Sequence, residues 1–200
     1  MDTLLAIETR RAVKHFDTRH KLDAVEIEKL LSLARLSPTA FNIQHWRVVL
    51  VQDTALREQI RAAAWMQPQV TEASLLIAIC ADVQAWAKQP ERYWRNAPED
   101  IREGIVEAIA EYYSGRPQLQ RDEAMRSCGI AAQTLMLAAT AMGLDSAPMD
   151  LADLDEVAKL LRLPDGYVVA MFVAIGRRTR DPWPRAGQLA SHEVVKIDHF

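Results

Sequence analysis

Behind Asp23-Ala24-Val25-Glu26, apolar residues recur at Ile27, Leu30, Leu31 and Ala34, one face of an α-helix. Asp23 supplies the cap acid and Glu26 the third-position glutamate of a capping box. This pattern predicts a helix running to about Leu36. It stops at Ser37-Pro38-Thr39, where the proline disfavours helical geometry in the residue before it, and a polar loop continues to Gln44. Trp46 to Val51 reads as a short apolar strand, Thr54 to Trp65 as a further helix and Gln67-Pro68-Gln69 as a break. Ser74 to Ala81 is apolar at nearly every position, the pattern of a strand buried on both faces.

From Gln84 to Gln118 the pattern changes. Trp86, Tyr93, Trp94, Tyr112 and Tyr113 are scattered among charges and punctuated by Pro90, Pro98 and Pro117, which predicts a helical excursion partly covering a site. Asp122 to Leu144 is the longest predicted helix, rich in alanine and ended by Gly143; its small side chains allow close approach by a neighbouring helix or subunit. Asp145 to Met149 is a short extended piece and Asp153 to Leu161 a helix. Tyr167 to Ile175 is a β-branched strand closing at Gly176. Strands and helices are interspersed without a regular βαβ rhythm, so the expectation is an α+β fold, one domain over residues 1–200, with one sheet flanked by helices.

Composition narrows the function. Twenty-four basic against twenty-seven acidic side chains leave a formal charge of -3, with no broad field for nucleic acid or an anionic membrane. Any phosphate must be held by a local cluster. The N-terminal residues lack the basic segment and apolar run of a signal peptide, which favours the cytoplasm. Cys128 to Leu144 is interrupted by Gly129, Gln133 and Thr134 and reads as a buried helix rather than a membrane span. Cys80 and Cys128 read as core thiols, and His15, His20, His45, His192 and His199 form no metal-like spacing. His45 beside Trp46 reads as a loop residue and not a catalyst. No dinucleotide fingerprint, phosphate loop or zinc-protease motif is present.

Two clusters can carry chemistry. In Arg10-Arg11-Ala12-Val13-Lys14-His15-Phe16, an extended backbone would let adjacent arginines and a lysine surround an anion, since guanidinium forks suit phosphate oxygens. A solvated basic turn has the same composition. In Ser37-Pro38-Thr39-Ala40-Phe41-Asn42-Ile43-Gln44-His45-Trp46, the Asn42 and Gln44 amides each offer a donor and an acceptor, the capacity needed along a ring edge of alternating carbonyls and nitrogens. Such residues also serve simply as turn caps.

Taken together and in this order, the two segments resemble the nitroreductase family of FMN enzymes. Gln67-Pro68-Gln69, the Gly129-to-Gly143 helix, Leu144 through Pro148 and Met149, Gly176 and Arg185 in a Pro-flanked segment continue the resemblance along the chain. The resemblance implies a central, mostly antiparallel sheet flanked by helices, in a homodimer with a long central helix. It implies that Arg10 and Arg11 hold the FMN phosphate and ribityl chain, and that Lys14 reaches the pyrimidine edge of the flavin. Pro38, Thr39, Ala40 and Asn42 would reach the flavin of the partner subunit. Gln67 or Gln69 would give an amide to the pyrimidine side, with Gln69 preferred. Met149 and Asp150 lie in the segment whose backbone N–H approaches flavin N5, and Arg185 would close on the phosphate, with Arg177 and Arg178 as competitors.

Two departures stand out. Ala12 replaces a frequent serine, removing one phosphate hydrogen bond, and Asp150-Leu151 replaces Glu-Gly, so that Leu151 is expected to crowd the flavin. The implied activity is ping-pong hydride transfer from NADH or NADPH through FMN to a small electron-poor acceptor such as a nitroaromatic or quinone. No side chain is needed as acid, base or nucleophile, and no metal, membrane or nucleic acid takes part. The same fold would also suit an ene-reductase, a dehalogenase or a non-catalytic flavin binder.

Overall fold

The computed structural model describes residues 2–200, and its centre is a four-stranded sheet in the order β1-β2-β4-β3, antiparallel at every pairing. The strands are β1 (Trp46–Leu50), β2 (Leu75–Asp82), β3 (Asp145–Met149) and β4 (Tyr167–Gly176). The helices are α1 (Thr3–Thr9), α2 (Ala24–Ala34), α3 (Thr54–Ala62), α4 (Gln69–Glu72), α5 (Glu99–Tyr113), α6 (Pro117–Ala141), α7 (Leu154–Leu160) and α8 (Ser191–Val194). The arrangement is the expected α+β class.

β2 is buried along its whole length because helices cover both sheet faces. On one face Leu75, Ile77, Ile79 and Ala81 meet Leu30 of α2 and Ala124, Cys128 and Leu135 of α6. On the other, Leu76, Ala78 and Cys80 join Ile60 of α3, Val70 of α4, Val157 of α7 and Phe172 of β4. Each fully buried large aliphatic side chain contributes about 1.5–3 kcal/mol, so this double-sided packing fixes the sheet as the rigid platform of the molecule. A capping box at Asp23 and Glu26 starts α2 as the sequence predicts.

Three of the differences from the sequence pattern are larger than a shift at a helix end or lie near the candidate site. The long helix begins at Pro117 instead of Asp122: a proline in the first turn has no N–H to waste and its φ already suits a helix, so Pro117 opens α6 where it read as punctuation. Gly143, at φ 76°, closes the helix as expected. Helix α3 stops at Ala62, short of Trp65, and the chain turns through left-handed Trp65 and Met66. The third difference is α4, which opens at Gln69 directly after the Gln67-Pro68 break.

The stretch marked out at 84–118 divides: residues 84–113 form a helical excursion, and Pro117 and Gln118 belong to α6. Two 3-10 turns, Ala85–Ala87 and Pro90–Trp94, lead into α5. Ile43, Ala85, Ile109 and Tyr113 make a small separate core, with Trp86 stacked on Tyr113 at 5.8 Å between ring centroids. The fully buried Asp82 carboxylate ties its base to the sheet, accepting from Lys88 Nζ at 2.8 and 2.9 Å and from Arg47 at 3.3 Å. At the opposite edge, the N-terminal segment runs beside β3 and the chain after β4. Val13 N–H donates to Ser146 at 3.1 Å, Asp17 N–H to Arg177 at 2.8 Å, and Thr179 N–H to His15 at 3.1 Å.

Candidate functional site

Val13 and Phe16 are buried on the sheet edge, which anchors the extended stretch and leaves Arg10, Arg11, Lys14 and His15 to line a cavity of about 640 Å3. Residues 180–186 and Gln188 close it from the other side and add Arg180 and Arg185. Five guanidinium or ammonium groups thus face one acid, Asp181, which is itself 3.1 Å from Arg178. Arg185 Nη2 donates to the carbonyls of Glu8 at 2.7 Å and Arg10 at 3.2 Å, and Arg11 donates to the Trp183 carbonyl, so the two segments brace each other.

Arg10 is the least satisfied member. Its Nη1 is buried with no hydrogen-bond partner. Burial, then the like charges of Arg185 and Arg11, hold its guanidinium below the ordinary arginine range. A cluster of cations with a spare buried donor is stabilised by an incoming anion, and a phosphate supplies both charge and acceptors. Arg10 and Arg11 also border a second cavity of about 570 Å3, lined by Arg177, Arg178 and Ser146, whose buried Oγ lacks a partner. Arg178 is already committed there, donating to Asp145 at 2.9 Å, and that carboxylate raises its pKa. Arg185 therefore shares the larger cavity with Arg10, Arg11 and Lys14, whereas Arg177 and Arg178 do not line it.

A chain of amides connects α4 to the end of β3. Gln67 Nε2 donates to the Asp150 carbonyl at 3.2 Å, and Gln69 Nε2 donates to Gln67 Oε1 at 3.0 Å. Gln69 is fully buried and its Oε1 accepts nothing, which leaves a fixed acceptor. Glu72 joins α4 to the basic segment by accepting from Phe16 N–H at 3.0 Å and lying 3.4 Å from His15 Nδ1. Met149 is buried and Asp150 exposed. Leu151 is the residue expected to crowd the flavin; its side chain is buried in the α3–α7 core, and its backbone lies outside the left-handed region that favours glycine. Its N–H donates to Asp150 Oδ1 at 2.9 Å.

The loop carrying Pro38, Thr39, Ala40 and Asn42 lies elsewhere on the chain. Asn42 and Gln44 border a cavity of about 970 Å3 together with Trp46, Arg47 and Trp94, and no residue lines both this and the basic cavity. Phe41, Asn42 and Gln44 have φ of 52°, 56° and 54°. Left-handed geometry costs a side chain such as Phe or Gln about 1–2 kcal/mol, so external bonds must hold the bend. Thr39 Oγ1 accepts from Gln44 N–H at 2.9 Å, Asn42 Nδ2 donates to the Tyr93 carbonyl at 2.9 Å, and Trp94 Nε1 donates to the Phe41 carbonyl at 2.8 Å. The excursion therefore packs on this loop in its own chain, and its aromatics do not line the basic cavity.

Next to the bend, His45 belongs to the core. It is fully buried, its Nδ1 is 3.2 Å from Ser127 Oγ, and burial pushes its pKa down to about 4 against the raising influence of Glu123 and Asp82. It is neutral at pH 7. Burial likewise pushes the free thiols of Cys80 and Cys128 up to about 11 and about 12, so neither offers a thiolate. Among the described residues no group of acids, histidines and cysteines could hold a metal ion, and no helix is long and apolar enough to cross a membrane.

Sequence reasoning missed His15, Arg180, Trp183 and Ser146 as lining residues. Arg180 and Trp183 share the Pro-flanked segment with Arg185, a signal that was available; nothing in the sequence marks Ser146.

The geometry has counterparts. The chain is 55% identical over 181 residues to the protein DrgA of Synechocystis sp., covering 90% of this chain and 86% of that one. A chain from Exiguobacterium sibiricum, described as a candidate nitroreductase and solved in complex with FMN, superposes with a TM-score of 0.91 at 25% identity, covering 99% of this chain and 98% of that one. The structure described as the candidate nitroreductase ydfN of Bacillus subtilis superposes with a TM-score of 0.89 at 28% identity over 97% of both chains. The sequence profile described as "Nitroreductase family" matches residues 7–177, from the end of the first helix through the last strand and so across the sheet, the basic segment and the bent loop alike: the chain belongs to the nitroreductase family.

Proposed function

We propose that the protein is an FMN-dependent NAD(P)H oxidoreductase that works as a homodimer. The observation that carries this reading is the buried, unpartnered Nη1 of Arg10 in a cavity that gathers Arg11, Lys14 and Arg185. That donor set fits a phosphate monoester, and the relative solved with FMN has the same fold. Arg10, Arg11 and Arg185 would hold the phosphate and ribityl chain. Lys14 and the free acceptor of Gln69 would address the flavin's pyrimidine side, where a cation favours the reduced, anionic ring and Gln69 Oε1 can receive an N–H. Gln67 would keep the Asp150 carbonyl in place, with the Asp150 N–H as the backbone donor toward the ring. Pro38, Thr39, Ala40 and Asn42 would complete the site from the partner subunit, and the excursion would cover its open face.

When bound, FMN supplies the redox chemistry, exchanging hydride in a ping-pong cycle between NADH or NADPH and a small electron-poor acceptor such as a nitroaromatic or quinone. Dimerisation is supported by surface that one chain leaves open. Leu4, Leu5 and Ile7 of α1 and Ile130 of α6 are exposed, and a Cβ built on Gly129 of α6 would meet nothing within 4 Å. Such apolar and small positions suit a second α6 packed across them.

The test is an absorbance spectrum of the purified protein under argon, with and without each nicotinamide, alongside sedimentation. The expected result is a yellow dimer carrying about one FMN per chain, bleached by NADH or NADPH and recoloured by a quinone. Colourless protein that takes up no FMN on incubation overturns the reading.

A further inference from the structure

We propose that Tyr93 and Trp94 form a positioning element that sets Asn42 for the cofactor, so that the cover and the flavin-reaching loop act as one unit. This rests on the reading that residues 38–42 reach the partner's flavin. Three observations converge on the Phe41–Asn42 peptide. Its carbonyl accepts from the Trp94 indole N–H at 2.8 Å, and its N–H donates to the Thr39 carbonyl at 3.0 Å, so the peptide plane is held from both sides. Both residues flanking it are left-handed, at φ 52° and 56°. The neighbouring residue of the same 3-10 turn, Tyr93, accepts the Asn42 side-chain amide at 2.9 Å.

Consecutive residues of the excursion thus fix the backbone and the side chain of one asparagine. The turn has a firm base, because Tyr93 OH donates to the Ala85 carbonyl at 2.8 Å and receives Arg92 at 2.8 Å. A chemical consequence follows for Asn42. One of its two amide N–H groups is engaged by Tyr93, while Oδ1 receives only Gln44 Nε2 at 3.3 Å, a long contact that leaves a lone pair available. Asn42 accordingly presents an acceptor beside its remaining N–H, a pair that suits a group able both to donate and to accept, such as a ribityl hydroxyl. Trp94 touches no cofactor in this scheme; it acts through Asn42.

A double-mutant cycle on FMN affinity, read by quenching of FMN fluorescence, tests this. Trp94→Phe keeps an aromatic ring but removes the donor together with part of the indole; the expected effect is a rise in Kd of about 3- to 10-fold, the worth of one such bond. Asn42→Ala should raise Kd at least as much, and the double variant should bind about as well as Asn42→Ala alone. A residue that merely supports the fold would give multiplying effects. Unchanged affinity in Trp94→Phe, or a double variant near the product of the singles, overturns the proposal while leaving the functional reading intact. Failure of the unmodified chain to bind FMN overturns that reading and this one with it. If Trp94→Phe does not fold, hydrogen exchange at the Trp94 indole of the unmodified protein decides: FMN should slow it about 10-fold, and an unchanged rate overturns the assignment.

Discussion

Replacing Arg10 should weaken cofactor binding and stabilise the empty protein at the same time. Arg10→Met keeps most of the unbranched stem and removes the guanidinium. In the ligand-free chain that group is a liability, since its Nη1 is buried without a partner and Arg11 and Arg185 repel it. An unsatisfied buried donor costs about 1–3 kcal/mol. Relief of about 1 kcal/mol should raise the apo-protein midpoint by roughly 2–4 °C in a chain of this size. On the proposed binding mode the same deletion would remove hydrogen bonds to a charged phosphate, worth about 1.5–3 kcal/mol, so Kd should rise about 10- to 150-fold. Fluorescence titration and scanning calorimetry of apo-protein read the two effects separately. Arg178→Ala is the control: Arg178 is paired with Asp145 at 2.9 Å and Asp181 at 3.1 Å. Its loss should leave Kd within about two-fold and lower stability by about 1 kcal/mol or less. If Arg10→Met left FMN affinity intact, or lowered apo stability in step with affinity, the anion-site argument would be refuted.

His45 predicts a pH signature: with a folded pKa of about 4 against an ordinary 6.5, its contribution is complete above pH 6.5 and is lost as pH falls toward 4. Urea midpoints between pH 7 and 5 should show a loss of about 2 kcal/mol that His45→Gln abolishes; an identical slope in the variant contradicts the assignment. Asp82→Asn removes the buried charge that Lys88 and Arg47 approach, and should destabilise the fold by about 2–4 kcal/mol in urea unfolding. Gly176→Ala places a Cβ 3.0 Å from Phe16 Cδ1 and 3.2 Å from Ser74 N, a crowding that should cost about 1–3 kcal/mol and show as a lower calorimetric midpoint.

What could be read from the chain follows from the range of the forces involved. The helix at Ala24–Ala34 and the strand at Leu75–Asp82 were readable because caps and apolar periodicity are local, and because a strand covered on both faces must be apolar throughout. The start of α6 at Pro117 was not, since proline opens a helix as readily as it ends one. Gln69 shows the same limit at the site. Its burial and free acceptor depend on Gln67 reaching across to Asp150, a contact between residues 83 positions apart. Leu151 shows a related limit: the sequence has a bulky residue where glycine is frequent, but does not reveal that its side chain is buried in the core cluster that includes Val157 and Phe172.

The division of the candidate site is itself informative. One chain gathers its cations at the β3 edge and its bent amide loop beside β1, the other edge of the sheet, with no shared lining residue. This open sheet keeps its two edges apart, with β1 and β3 on opposite sides. A two-fold axis can bring them together, because it sets the β1-side loop of one copy against the β3-side cations of the other. The left-handed bend at Phe41 and Asn42 is held by its own excursion within one chain, and if the proposed composite site forms, FMN binding and dimerisation are linked: each should strengthen the other by the same factor. Sedimentation of apo-protein across a dilution series, with and without FMN, measures that factor. Dimers equally tight in both conditions would mean that the loop makes no contact with the partner's cofactor, and the composite site would have to be abandoned.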